Sequence, residues 1–191
     1  MEAAQGGRVI SRQEFTGYWE YLLDEAIFTA PVYASFGGAA LIDKEGHLVG
    51  VGSLFTQIVL QGIGTLPSNM FVPIDLLKPI LNDLIALGRS REAPKPWLGI
   101  NSEESHGRIF ITKLTSGGPA EKAGLQVDDL ILAVDGKPVK GLADFYRKIW
   151  SVGKAGADVT LGVLRGAQIQ NVSVHSGDRY QFLNLRRQKV L

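Results

Sequence analysis

The sequence predicts a mainly β protein with a few helices, arranged in two domains. Three observations carry this. Glycines are numerous, 23 of 191 residues, and they lie scattered among apolar runs, the distribution of turn-rich β structure and not of a linker. Short runs of strand-forming residues recur, and only two longer stretches switch to helical period. Charges, prolines and a glycine gather once, in GRSREAPKPW at 88–97, where apolar periodicity stops; this is the signature of a linker.

In the first region, EYLLDEAIFT, AALID, HLVGVGSLF and QIVLQGIG are rich in strand formers. DKEG separates the second and third as a hairpin turn, with Gly46 supplying a positive φ. PIDLLKPILNDLIALG then places Leu77, Ile80, Leu81, Leu84 and Ile85 on one helical stripe. Asp75 is expected as its N-cap, Pro79 near its first turn and Gly88 at its end. A few strands and one helix make a thin unit, which needs more chain to close a barrel.

The second region alternates. GRIFITKL and ADVTLGVLR read as strands, with Val159, Leu161 and Val163 on one face. SGGPAEKAGL reads as turn, short helix and stop: Pro119 suits a first helical position and Gly124 a left-handed cap. DDLILAVDGKPV is strand, Asp-Gly turn, strand. LADFYRKIWSVG is an amphipathic helix with Leu142, Phe145, Ile149 and Val152 on its stripe. The sum is a small α+β or partly open barrel domain.

Composition narrows function. Hydrophobic residues make up 45% and charged residues 20%, enough for a real core, and the net charge of +1 provides no field that would gather nucleic acid. The locally basic NLRRQKV near the C-terminus reads as a solvated tail. With no cysteine there is no disulfide, thiolate metal site or thiol nucleophile. No run reaches the ~18 apolar residues of a membrane span. MEAAQGGRV lacks a signal-peptide pattern, so an export signal is expected outside this chain. No metal or other cofactor is expected, because no histidine pair has ligand spacing. The acidic pairs Glu103-Glu104 and Asp128-Asp129 read as loop acids on a solvated surface.

Two stretches carry a family resemblance. PWLGI at 96–100, the run Ser116–Val139, LADFYRKIW and VTLGVLR resemble the PDZ domain of the bacterial HtrA/DegP-type serine proteases. One departure is Asp128, where that family has glycine. GGAALID, GHLVGVGS and PSNMFVPIDLLKPILNDLI resemble the C-terminal barrel of the trypsin-like protease domain in the same family. The likeness runs from about Gly7 to Val174. It implies a partial trypsin-like β-barrel over 1–88, a linker over 89–96, a PDZ domain over 97–178 and a tail over 179–191.

The resemblance also locates what is missing. Anchored on the strand LID, the nucleophile position of the family motif falls on Gly37, which has no side chain to form an acyl-enzyme. A slipped register offers Ser35, but Phe36 then follows it where the oxyanion turn favours glycine. The family's catalytic histidine and aspartate precede the serine, and no histidine precedes Gly37. His47, His106 and His175 read as surface residues. The chain is expected to begin midway through a longer parent.

The expectation is therefore a peptide-binding PDZ module attached to a degenerate protease domain. The alternative is part of an active HtrA-like endopeptidase in protein quality control, with its catalytic histidine and aspartate outside this chain. A PDZ site needs a strand edge for β-augmentation, converging N–H groups for a terminal carboxylate, and an apolar pocket. Resemblance assigns these to Trp97, Leu98, Gly99, Ile100, Asn101 and Ser102, with Phe145, Ile149 and Val152 facing the groove. Taken alone, Phe145, Ile149 and Val152 read as core; with WLGI upstream they read as part core and part groove. The implied ligands are protein C-termini ending in an apolar residue. Resemblance further implies a periplasmic or envelope location and a homo-oligomer, a trimer in this family.

Overall fold

In a computed structural model the described residues are 4–182. The basic NLRRQKV segment and most of the expected tail lie outside them. Contacts divide the described residues into two compact units, one of residues 4–15 and 23–91, the other of residues 16–22 and 92–182.

The first unit holds five antiparallel strands: β1 (Arg8–Gly17), β2 (Tyr21–Ala30), β3 (Ala40–Ile42), β4 (Leu48–Leu60) and β5 (Gly64–Pro73), in the order β1-β2-β5-β4-β3. The turn joining β1 to β2 belongs to the second unit. The sheet does not close into a barrel. Its buried side chains include Ala26, Ile27, Phe28, Ile58, Met70 and Phe71. The DKEG hairpin forms as expected, closed by the Asp43 N–H donating to the His47 carbonyl at 3.0 Å, with Gly46 at φ 89°.

Three expectations here are corrected. LVGVGSLF and QIVL lie in one continuous strand, β4, and Gln61–Ile63 is the turn after it, with Gly62 at φ 78° and Gly64 opening β5. GTLPSNMFVP, to which the residue patterning assigns no strand, is β5 despite Pro67 and Pro73. The helix over 74–88 breaks into two 3-10 turns, Ile74–Leu76 and Lys78–Ile80, followed by α1 (Leu81–Leu87). Pro79 lacks the N–H that a continuous helix needs, so the chain restarts around it. Asp75 lies inside the first 3-10 turn and caps nothing, and Ile85 is 76% exposed. Gly88 does close α1, at φ 72°.

The second unit has β6 (Ile100–Ser105), β7 (Arg108–Leu114), α2 (Pro119–Lys122), β8 (Leu130–Val134), β9 (Lys137–Pro138), α3 (Leu142–Ser151), β10 (Asp158–Arg165), β11 (Gln168–His175) and α4 (Arg179–Phe182). The sheet runs β11-β10-β8-β7-β6, with β9 paired to β8, so β6 is an edge strand. Val159, Leu161 and Val163 face the core as the period-two pattern predicts, together with Ile109, Ile111 and Ile131. The stripe on α3 buries Leu142, Phe145, Tyr146 and Ile149 against them. Asp135 and Gly136, both at positive φ, make the predicted turn between β8 and β9.

The Asp128 departure is also explained. Asp128 adopts φ 72°, the left-handed region where glycine is favoured, and aspartate is among the few other residues that tolerate it.

Candidate carboxylate-binding site

The residues 97–102 come together where β6 begins. Trp97 is pinned to Gly177 by reciprocal backbone hydrogen bonds of 3.1 and 2.8 Å, and its ring packs on Phe182 at 4.6 Å. The Leu98 carbonyl accepts from the Ala120 N–H, and the Gly99 carbonyl from the Thr115 N–H. These anchors turn the N–H groups of Leu98, Gly99 and Ile100 the same way. Gly99 makes the turn possible. Its φ is 78°, and a Cβ there would lie 3.1 Å from the Trp97 ring.

The three N–H groups converge on one carboxylate, that of Glu20. Leu98 N–H donates to Oε2 at 3.0 Å; Gly99 and Ile100 N–H donate to Oε1 at 2.7 and 3.0 Å. Two residues earlier, the Tyr18 carbonyl accepts from the Ser102 N–H of β6 at 2.8 Å. The Tyr146 hydroxyl of α3 donates to the Gly17 carbonyl at 3.0 Å and accepts from the Glu20 N–H at 3.2 Å. The turn at 17–20 therefore occupies the N–H groups of residues 98–100 and takes a hydrogen bond from the strand edge. Glu20 holds φ 54°, a rare value for a residue with a side chain.

Sequence reasoning missed Glu20. It places Glu20 at the start of a strand, whereas the strand begins at Tyr21 and Glu20 sits in the turn before it. Nothing local marks the residue, because its partners lie 78 to 80 positions away.

Electrostatics here are a contest. Glu20 is only 5% exposed, and burial pushes its carboxyl up from 4.5 to about 7. The hydrogen bonds from Leu98, Ile100 and Gly99 and the charge of Arg179 oppose this without overcoming it. Burial, and secondly the Glu20 charge, hold the Tyr146 phenol well above its ordinary range, so its proton stays available to Gly17. Lys95, Asp178, Arg179 and Tyr180 line a small opening beside Glu20.

The remaining assigned residues divide. Phe145 and Ile149 are fully buried core residues, while Val152, the C-cap of α3, is half-buried. Asn101 is half-buried on β6. Ser102 is buried, and its hydroxyl has no partner.

In the first unit, Ser35 and Gly37 are exposed along a cleft that Thr29, Tyr33 and Gly38 also line. Gly38 donates to the Gly52 carbonyl at 2.9 Å and Ala39 to the Phe36 carbonyl at 2.9 Å. Gly52 is sterically required, since a Cβ there would sit 1.9 Å from the Phe36 oxygen; at Gly37 a Cβ would meet nothing within 4 Å. His47 pairs with Asp43 and His175 with Asp158, and all three histidines are exposed. Among the described residues no group of acids and histidines could hold a metal ion.

The acidic pairs are not all solvated loop acids. Asp129 is buried and takes two hydrogen bonds of 2.7 Å from Arg165. Burial raises its carboxyl, but the Arg165 and Gln126 donors outweigh this and hold it below the usual range. Glu104 lies on β6 and caps α3, accepting the Leu142 N–H at 2.7 Å.

Residues 96–175 match the family model of the PDZ domain. The probable periplasmic serine endoprotease DegP-like of Pseudomonas fluorescens is 28% identical over 159 residues, which is 77% of this chain and 32% of the relative. The serine protease Do-like HtrA of Bacillus subtilis is 26% identical over 149 residues, 69% of this chain and 32% of the relative. The periplasmic serine endoprotease DegP of Escherichia coli K12 is 24% identical over 146 residues, 72% and 30%. The chain spans about a third of the length of these curated relatives. Among solved structures, one described as HtrA-type protease AlgW with decapeptide has a TM-score of 0.51 at 22% identity, covering 81% of this chain and 49% of that one; this is a likeness of fold. No helix among the described residues is long and apolar enough to cross a membrane. The chain thus carries a PDZ domain over residues 96–175 and is related in sequence to the DegP/HtrA-type serine proteases.

Proposed function

We propose that this chain is a peptide-binding PDZ module joined to a protease-like unit that has lost its nucleophile. The module grips C-termini of proteins through Leu98, Gly99 and Ile100 and extends β6 with the ligand's main chain. The observation that carries this is the convergence of three backbone N–H groups, at 2.7 to 3.0 Å, on a single carboxylate. Such a cradle recognises an anion by geometry and not by a counter-charge. In this reading Val152, half-buried at the end of α3, borders the pocket for an apolar last side chain, and Phe145 and Ile149, fully buried, back it from the core. A Val- or Leu-sized group buried there contributes about 1.5–3 kcal/mol.

The protease-like unit is inactive in this reading because Gly37 stands where the family has its nucleophile. The relatives' names support placement in the periplasm or envelope, and trimerisation follows from family likeness. Fluorescence anisotropy with paired peptides tests the binding reading. A peptide ending in an apolar residue should bind as the free acid and lose binding as the carboxamide; identical behaviour of the two forms sinks it. The endopeptidase alternative is favoured by the relatives' names. It predicts labelling by a fluorophosphonate probe, and adduct formation at Ser35 would overturn the assignment of Gly37.

A further inference from the structure

We infer that the turn Gly17–Glu20 is a built-in ligand of the PDZ site, and that an external C-terminus binds only by displacing it. This rests on the peptide-binding reading above.

The turn meets the two polar needs of a PDZ ligand. Its carboxylate, that of Glu20, takes all three N–H groups of the loop. Its main chain, through the Tyr18 carbonyl, takes the Ser102 N–H of the edge strand at 2.8 Å. An incoming terminal carboxylate needs the same donors, and each N–H has one proton to give, so the two ligands exclude each other. Leu22, just after the turn, packs against the domain's apolar core. The turn is also held by something no external peptide needs, the Tyr146 hydroxyl bridging Gly17 and Glu20.

The turn is built to release. Glu20 sits at φ 54°, a strained backbone state for a residue with a side chain, one that persists only while its contacts hold. Tyr18 is 53% exposed, so an incoming chain can approach the segment from solvent. The covalent tether keeps the turn at high local concentration, which sets a threshold that a free peptide must exceed.

Binding to the full chain and its Glu20→Ala and Glu20→Gln variants tests this. The probe is a fluorescein-labelled peptide ending in Ala-Leu-Val, as free acid and as carboxamide. Amide hydrogen exchange at Gly99 and Ser102 is followed in parallel without peptide. A turn docked nine-tenths of the time or more lowers the apparent affinity by about 10-fold or more. Glu20→Ala should therefore bind the free acid about 10-fold more tightly than the native chain, leave the carboxamide unchanged, and expose the Gly99 and Ser102 amides. Glu20→Gln, of nearly the same shape, should shift both readouts the same way and serves if the alanine variant folds poorly. Equal free-acid affinity in native and variant chains overturns the inference while sparing the peptide site. If no chain distinguishes acid from carboxamide, the peptide site itself fails and the competition with it.

Discussion

Replacing Glu20 by glutamine should change how stability of the second unit depends on pH. The magnitude follows from the site. Burial raises the Glu20 carboxyl from 4.5 to about 7 when it is docked. A carboxyl raised on folding stabilises the folded state fully below its ordinary value and loses that contribution as pH rises through the raised one. Relative to the glutamine variant, the native chain should lose about 2–3 kcal/mol between pH 5 and pH 8, at ~1.4 kcal/mol for each pH unit up to about 7 and little above it. The groups facing Glu20 do not reverse this. Tyr146 keeps its proton throughout the window, and Arg179, the nearby cation that acts on Glu20, already lowers the docked value in the figure above. The assay is urea unfolding followed by tryptophan emission. Trp19, Trp97 and Trp150 are the three tryptophans of the chain and all lie in the second unit, so the signal reports that unit alone. Native and variant stabilities that run parallel from pH 5 to pH 8 would refute a buried, docked Glu20.

Three other outcomes follow from the geometry. Gly99→Ala should destabilise the second unit by about 1–3 kcal/mol and abolish free-acid peptide binding, because its φ of 78° and the Trp97 ring 3.1 Å from the new Cβ both oppose the side chain; urea melts and anisotropy read it. Asp129→Ala should cost about 2–3 kcal/mol, less than a fully buried pair because the Arg165 side chain is 27% exposed, and unchanged melts would show that the pair is idle. Gly37→Ser should leave stability within about 0.5 kcal/mol, since a Cβ there meets nothing within 4 Å, and should remain unlabelled by a fluorophosphonate probe.

Much of this molecule is local, and local features are readable in the sequence. The alternation of Val159, Leu161 and Val163, the stripe of Leu142, Phe145 and Ile149, and the Asp135-Gly136 turn each depend on neighbours a few positions away, and each stands in the structure as expected. Failures came where a local rule met a competing one. The apolar residues over 74–88 predicted one helix, but Pro79 withheld an N–H and the helix broke; β5 accommodates Pro67 in the stretch that pairs with β4 alone and Pro73 at the strand's end.

The sequence by itself determined two unlike stretches of patterning and the absence of a hydroxyl at Gly37; the role of Leu98–Ile100 as a carboxylate loop came from family resemblance. Only tertiary structure decided what fills that loop. Glu20 looks like any polar residue at the start of a strand, and its meaning comes from donors 78 to 80 residues away. Backbone N–H groups are present at every non-proline residue and leave no mark in composition. Their convergence on one point, and the side chain that answers it, exist only once the chain is folded.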